Sequence, residues 1–246
     1  MELFTLGVGN YTEDDIEAAA AAWTGHNADW NRDDTQSRIY QFYPDRHDDR
    51  QKTFFGHRRA WDGPEIIEEI LTGRYSGRSD KKQIAAKFIA RKLWEFLAHP
   101  GPAPALVDAI VSASNFANTM DIKALARAIL MRDEFYSTAA RQGLVRTPIE
   151  YVAALAYHTG LFPDAATIAA GDPERNGKID PIGVSWRSET TGQQFFQPPN
   201  VSGWRPNGYW LNTSALSGRA GFADSVAWRL QQPNAHFDEG QPGYNA

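Results

Sequence analysis

From Pro64 onward, apolar residues recur at spacings of three and four along most of the chain. In the clearest segment, residues 80–97, the apolar positions are Ile84, Phe88, Ile89, Leu93, Trp94 and Leu97. This spacing places one apolar stripe on one face of an α-helix, and the stripe must pack against other elements. The pattern predicts a mainly α protein, built as an orthogonal assembly of many short helices.

Residues that favour helix starts delimit the individual helices. Thr12 precedes three acidic residues, and Thr147 precedes a proline at the first helical position. Asp80, Asp121 and Asp133 also occupy positions that suit an N-cap. The predicted helices cover residues 1–6, 12–23, 64–73, 80–97, 105–114, 121–130, 133–142, 147–159, 163–170, 190–196 and 216–230.

Two short segments are rich in aromatic and β-branched residues. They are residues 39–43 (IYQFY) and 52–55 (KTFF), and a polar turn from Pro44 to Arg50 separates them. Such segments favour strands, so we predict one small β-hairpin near residues 39–55. The polar segment from Asn27 to Ser37 is predicted to be a loop.

Composition excludes several classes of site. The 246 residues carry a net charge of −5 and include no cysteine. A nucleic-acid partner is therefore not expected, and disulfides, thiolate metal sites and cysteine nucleophiles are excluded. No apolar run approaches the roughly 18 residues of a membrane span. We predict a single helical domain over residues 1–230 and a polar, disordered tail over residues 231–246.

The N-terminal residues start directly inside an amphipathic segment. Residues 1–7 (MELFTLG) have no basic region and no cleavage site of a signal peptide. We therefore expect the chain to be the C-terminal part of a longer protein, whose export signal would lie upstream.

The best candidate metal site is in the turn of the predicted hairpin. His47, Asp48 and Asp49 are adjacent, with Asp45 before them and His57 after the second strand. An imidazole beside carboxylates can bind a divalent metal ion or act as an acid–base pair. The alternative is an Asx-capped turn, because Asp and His are common turn residues and adjacent positions seldom chelate one ion.

A second candidate site is the loop from Gln197 to Asn212, which we call the tryptophan loop. It is rich in rings and amides, and the candidate binding residues are Asn200, Trp204, Trp210 and Asn212, with Asn207 and Tyr209 between them. Aromatic faces and amides suit sugar rings, which indicates polysaccharide binding. In the alternative interpretation, the tryptophans fill the core and the asparagines bind local backbone.

Other sequence features give weaker indications of a site. Arg91, on the helix of Trp94, is predicted either to form a buried ion pair with Glu150 or Asp121 or to point into a binding cleft. Residues 172–183 resemble a calcium loop but lack its final glutamate. The chain has no G-x-S-x-G or H-E-x-x-H motif, and its S-x-x-K match at residues 79–82 lacks partner motifs.

Several segments closely resemble the bacterial DUF1800 family of unknown function. They are residues 2–9 (ELFTLGVG), 11–13 (YTE), 88–94 (FIARKLW), 145–150 (VRTPIE), 198–204 (PPNVSGW) and 210–213 (WLNT). The resemblance implies longer relatives, many with export signals, and so a periplasmic or extracellular location. It also implies a possible partner from the DUF1501 family, which is similar to sulfatases. His26 departs from the family pattern, which more usually has Trp after Thr24-Gly25.

Two functions follow as hypotheses. The first is an accessory or binding scaffold, secreted or associated with the bacterial envelope, that presents the tryptophan loop to a DUF1501-family protein or a polysaccharide. The alternative is a metal-dependent hydrolase that uses a divalent ion at His47 and Asp48. The resemblance supplies no catalytic residues.

Overall fold

The computed structural model describes residues 1–30, 38–160 and 188–231. It is mainly helical with small antiparallel sheets, which confirms the predicted fold class. The chain divides into two compact units, residues 1–141 and residues 142–246. The predicted helix at 163–170, the calcium-like loop at 172–183 and the tail after Gln231 lie outside the described residues.

The first unit contains six helices and four strands among its described residues. The helices are α1 (Glu13–Ala22), α2 (Gly63–Thr72), α3 (Ser79–Leu97), α4 (Pro104–Ser114), α5 (Phe116–Thr119) and α6 (Ile122–Leu130). The strands are β1 (His26–Trp30), β2 (Arg38–Phe42), β3 (Lys52–Phe54) and β4 (His57–Arg59). Single turns of π-helix and 3₁₀-helix cover Glu2–Leu6, Pro44–Arg46 and Asp133–Tyr136.

Helix α3 separates two parts of the core of this unit. On one side, its fully buried Trp94 belongs to a cluster with Ile110, Phe116, Leu125 and Ile129 from α4, α5 and α6. On the other side, Ala85 joins a second cluster, whose large members include Leu6, Phe54, Trp61, Ile66 and Ile70. Burial of these apolar side chains supplies the main stabilisation of the unit.

Most predicted helix starts are confirmed. Thr12 and Thr147 each form a capping box, the former with Asp15 and the latter with Glu150. The Asp121 side chain accepts hydrogen bonds from the backbone N–H groups of Lys123 and Ala124. These contacts join residues two or three positions apart, so sequence alone specifies them.

Two predicted helix starts are wrong. Arg78, not Asp80, occupies the N-cap of α3, and Asp80 lies in the first turn, where its carboxylate accepts from the Arg78 guanidinium at 2.8 Å. The helix predicted over residues 133–142 is only one 3₁₀ turn, Asp133–Tyr136. It ends because the backbone of Ser137 is extended, so the hydrogen-bond pattern cannot continue.

The strand pairing also differs from the prediction. β2 pairs with β1, with His26 opposite Phe42, so part of the predicted loop from Asn27 to Ser37 is a strand. β3 pairs instead with β4, with Phe54 opposite His57. The predicted strand segments are therefore present, but they belong to two separate sheets.

The turn between β3 and β4 explains this local pairing. Phe55 and Gly56 both have positive φ, 48° and 79°, as a tight two-residue hairpin turn requires. Phe55 tolerates this conformation because its buried N–H donates to the Asp15 carboxylate at 2.8 Å. Asp15 belongs to α1, so the hairpin is attached to that helix.

The described part of the second unit contains two long helices, α7 (Pro148–His158) and α8 (Thr213–Leu230). Val152 of α7 is buried with Phe222 and Val226 of α8. A short 3₁₀ turn, Asn207–Trp210, lies in the tryptophan loop before α8. Across the described residues of both units, no helix has the length and apolar character needed to cross a membrane.

Candidate functional site

His47 lies in the segment that follows β2 and is attached to the end of α1. Its Nδ1 lies 2.9 Å from the Thr24 carbonyl oxygen, and this oxygen can only accept, so Nδ1 carries the proton. The Thr24 hydroxyl accepts from the backbone N–H of Asp48 at 2.8 Å. Thr24 therefore holds two of the three candidate metal-binding residues, His47 and Asp48, in place.

The Asp48 carboxylate is occupied by cationic side chains. It accepts from the Arg50 guanidinium at 2.7 and 3.0 Å, and the ammonium of Lys52 lies 4.0 Å away. The hydrogen bonds from Arg50 hold the pKa of Asp48 well below its usual range. Asp48 also accepts from the Arg50 backbone N–H, which forms an Asx turn.

These contacts bear on the predicted metal site. Within residues 1–30, 38–160 and 188–231, no group of three or more His, Cys, Asp or Glu side chains is placed to hold a metal ion. The site of His47, Asp48 and Asp49 stays a prediction. A metal ion there would have to displace Arg50 from Asp48.

His47 belongs to a cluster of rings that is centred on His26. The His26 ring centroid is 4.8 Å from that of Trp23, 4.9 Å from that of Phe42 and 6.2 Å from that of His47. The Nδ1 atom of His26 is 2.9 Å from the Tyr40 hydroxyl, whereas its buried Nε2 has no hydrogen-bond partner in the described part of the chain. We call these five side chains the histidine cluster.

In the sequence, His26 is distinguished only as a departure from the family pattern. Its role depends on the pairing of β1 with β2, which places His26 opposite Phe42. In the predicted hairpin, the strand at residues 39–43 pairs with residues 52–55. The loop predicted from Asn27 to Ser37 includes most of β1. The only signal in the sequence was the presence of two histidines on either side of an aromatic segment.

In the second unit, Trp210 is the anchor of the tryptophan loop. Its side chain is buried, and its ring centroid lies 5.7 Å from that of Trp204 and 5.0 Å from that of Tyr209. The predicted binding residue Trp210 is therefore a core residue, whereas Trp204 is half-buried and Tyr209 is exposed.

The asparagines of the loop bind nearby backbone. Asn200 accepts from the Ser202 N–H at 2.9 Å, and Asn207 accepts from the Val145 N–H at 3.2 Å. Asn212 accepts from the Ala215 N–H and donates to the Tyr209 carbonyl, each at 2.9 Å. These contacts match the interpretation in which the amides shape the loop.

The tryptophan loop and Phe196, the residue before it, expose several large apolar side chains. Phe196 is 98% exposed and Val201 is 80% exposed, and Tyr209 and Leu211 are also exposed. Burial of such exposed apolar side chains against a partner lowers the free energy of the complex.

Arg91, in the first unit, is exposed and pairs with Glu95 one turn further along α3, at 3.0 Å. The predicted buried ion pair with Glu150 or Asp121 is therefore wrong. Arg91 instead borders an open groove of about 500 Å³. The role of Arg91 in a binding cleft stays a prediction. Leu6, Val8, Phe88 and Val107 contribute apolar side chains to the lining of the groove.

The charged groups at this groove neutralise one another. Lys87 pairs with Asp108 at 2.7 Å, and both residues line the groove together with Arg91. Neither His47 nor Asp48 contributes to the lining. The groove and the histidine cluster are therefore separate features of the first unit.

No curated protein and no solved structure matches the chain. A family model does match, over residues 1–241, and it describes proteins of unknown function. This range covers both units and nearly the whole sequence. The chain therefore belongs to the DUF1800 family.

Proposed function

We propose that this protein is an accessory binding protein, secreted or associated with the bacterial envelope, and that the tryptophan loop binds a protein partner. The observation that carries the proposal is the exposure of four large apolar side chains in and next to this loop, Phe196, Val201, Tyr209 and Leu211, together with the buried anchor Trp210. A rigid aromatic anchor beneath exposed apolar groups is typical of a protein-binding surface.

The contacts favour a protein over a polysaccharide. Sugar recognition needs amides that are free to pair with hydroxyl groups. The amide oxygens of Asn200, Asn207 and Asn212 already accept from backbone N–H groups of this chain. The Trp210 ring is buried, so it offers no open face on which a sugar ring could stack.

The contacts favour binding over hydrolysis for a similar reason. The alternative, a hydrolase with a divalent metal ion at His47 and Asp48, requires a carboxylate that can bind the ion. Asp48 is paired with Arg50 and its pKa is lowered by that pair, so its charge is already compensated. No reaction is assigned to these residues.

The family resemblance names a partner to test first, a DUF1501-family protein from the same bacterium. Its affinity for the purified full chain would be measured by isothermal titration calorimetry, for the native chain and for a Val201→Ser, Leu211→Ser variant. We expect the variant to bind at least about tenfold more weakly, because it removes central apolar contacts.

Tyr157→Ser is the matched control, because Tyr157 is an aromatic residue on α7 of the same unit. Its side chain is largely exposed, as are those of Val201 and Leu211. The affinity of the control should equal that of the native chain. Binding of soluble polysaccharides is measured in parallel. The proposal fails if the DUF1501-family protein does not bind, or if the Val201→Ser, Leu211→Ser variant binds as tightly as the native chain and the control do. It also fails if a polysaccharide binds instead and the Trp204→Ala substitution abolishes that binding. Cell fractionation tests the proposed location.

A further inference from the structure

The histidine cluster contains an unsatisfied atom. His26 Nε2 is buried and has no hydrogen-bond partner among the residues that the structure describes. An unpaired buried polar atom is costly, and in native proteins it commonly marks a missing water or ion. The ring is held by contacts with Trp23 and Phe42, so the atom is kept at this position by packing.

The neighbouring His47 is held in the tautomer that a metal ligand needs. Its Nδ1 donates to the Thr24 carbonyl, so in the neutral ring the lone pair is on Nε2. A backbone carbonyl that accepts from the second ring nitrogen is a common outer contact of metal-binding histidines.

His26 has a comparable outer contact. Its Nδ1 lies 2.9 Å from the Tyr40 hydroxyl oxygen, which can accept from Nδ1–H. In that tautomer, the lone pair of His26 is also on Nε2, the buried atom without a partner. Both imidazoles can thus offer Nε2 lone pairs while their Nδ1–H groups remain bonded to oxygen atoms.

The spacing of the two rings suits one shared ion. If one metal ion bound both Nε2 atoms at about 2 Å, the ring centres would be about 5 Å apart at a tetrahedral angle and about 6.3 Å apart at a linear one. The observed separation of the centroids is 6.2 Å, with the ring planes at 84°. This corresponds to a nearly linear angle at the metal, which suits opposite positions around a tetragonal Cu²⁺ better than a tetrahedral Zn²⁺.

We propose that His26 and His47 form a two-histidine site for one transition-metal ion, Cu²⁺ or Zn²⁺, bound through their Nε2 atoms. Water molecules would complete the coordination. This ligand pair replaces Asp48 and Asp49, whose carboxylates are not needed. The site lies in the first unit and is independent of the binding function proposed for the tryptophan loop.

The donor set defines which ions bind. Imidazole nitrogen suits copper and zinc, whereas magnesium and calcium prefer oxygen ligands. For a site of this type, Cu²⁺ binds more tightly than Zn²⁺. We therefore expect the affinity to fall from Cu²⁺ to Zn²⁺, with no binding of Mg²⁺.

The test is a calorimetric titration of the purified full chain with Cu²⁺, Zn²⁺ and Mg²⁺ salts. The variants are His26→Phe, which keeps a ring but removes both nitrogens, and His47→Phe. His99→Phe is the control, since His99 is another histidine of the first unit, packed against Trp94. We expect one ion per chain, about a tenfold or greater loss of affinity in the first two variants, and no change in the control.

A second measurement uses the native chain alone, so it does not depend on whether the variants fold. Nitrogen NMR of the histidine side chains in the native chain should show a Zn²⁺-dependent shift at Nε2 of His26 and of His47. The proposal is overturned if no ion binds, if His26→Phe binds as tightly as the native chain, or if other histidines show the shift.

Discussion

Thr24 and His47, 23 positions apart, are joined by a hydrogen bond of 2.9 Å between the imidazole Nδ1 and the threonine carbonyl oxygen. Thr24 follows the end of α1, so that helix sets the orientation of the imidazole. The same threonine accepts from the Asp48 N–H through its hydroxyl. One residue thus determines the tautomer of His47 and the path of the chain around it.

The Thr24 hydroxyl should contribute measurably to stability. Thr24→Val removes the acceptor of the Asp48 N–H while keeping the side-chain shape, and we expect a loss of about 1 kcal/mol in the free energy of unfolding. Urea denaturation measures this change. Thr24→Ser keeps the hydroxyl and should lose less. Equal losses in the two variants would show that the hydroxyl contributes little.

Glu69 should be among the most sensitive charged residues of the first unit. Its side chain is fully buried and accepts from the backbone N–H groups of Tyr75 and Ser76 and from the Ser76 hydroxyl. Glu69→Ala leaves these donors without their acceptor, at an expected cost of about 2–4 kcal/mol in the free energy of unfolding.

The neighbouring Glu68 is the control for Glu69, because it pairs with Arg74 at the surface. Glu68→Ala should change the free energy of unfolding much less than Glu69→Ala does, because solvent screens an ion pair at the surface. Both are measured by chemical denaturation. A similar cost for the two substitutions would contradict the assignment of a structural role to the buried carboxylate.

Asp48 should make stability depend on pH. Because Arg50 lowers the pKa of Asp48 in the folded chain, the unfolded chain binds a proton at Asp48 more readily. The stabilisation is therefore complete at pH values above the ordinary carboxyl pKa of about 4. It is lost as the pH falls from there toward the lower folded pKa.

The Asp48 effect is measured as the melting temperature between pH 7 and pH 2.5. The native chain should lose more thermal stability across this range than Asp48→Asn, which has no proton to bind. Asp49→Asn is the control, because the adjacent carboxylate is exposed. Parallel curves for the native chain and Asp48→Asn would rule out the linkage.

Trp210 should stabilise the second unit, and Trp204 should do so less. Trp210 is buried and touches the rings of both Trp204 and Tyr209. Trp210→Ala is expected to cost about 3–5 kcal/mol in the free energy of unfolding, because it leaves a large cavity.

Trp204→Ala removes a half-buried ring and should cost less than Trp210→Ala. Both variants are compared by thermal unfolding, with helix content followed by circular dichroism. A larger loss in Trp204→Ala would show that the anchor of the loop has been assigned to the wrong tryptophan.

The sequence by itself determined the features that depend on neighbouring residues. The starts of α1, α6 and α7 follow from Thr12, Asp121 and Thr147, whose side chains bond to N–H groups two or three positions away. Several helix ends, the mainly α class and the family were likewise identified. Asp80 and Asp133 show the limit, because an acidic residue that suits a cap can instead lie within the first turn.

The tertiary structure alone decided which distant groups meet. Sequence pattern identified the strand at residues 39–42, but only the fold pairs it with residues 26–30 and brings His26 toward His47. Likewise, the amides of the tryptophan loop were recognised as polar groups, but the backbone around them decides that they are already bonded. Strand pairing and the burial of single atoms depend on contacts between segments far apart in the chain, and local propensity does not encode those contacts.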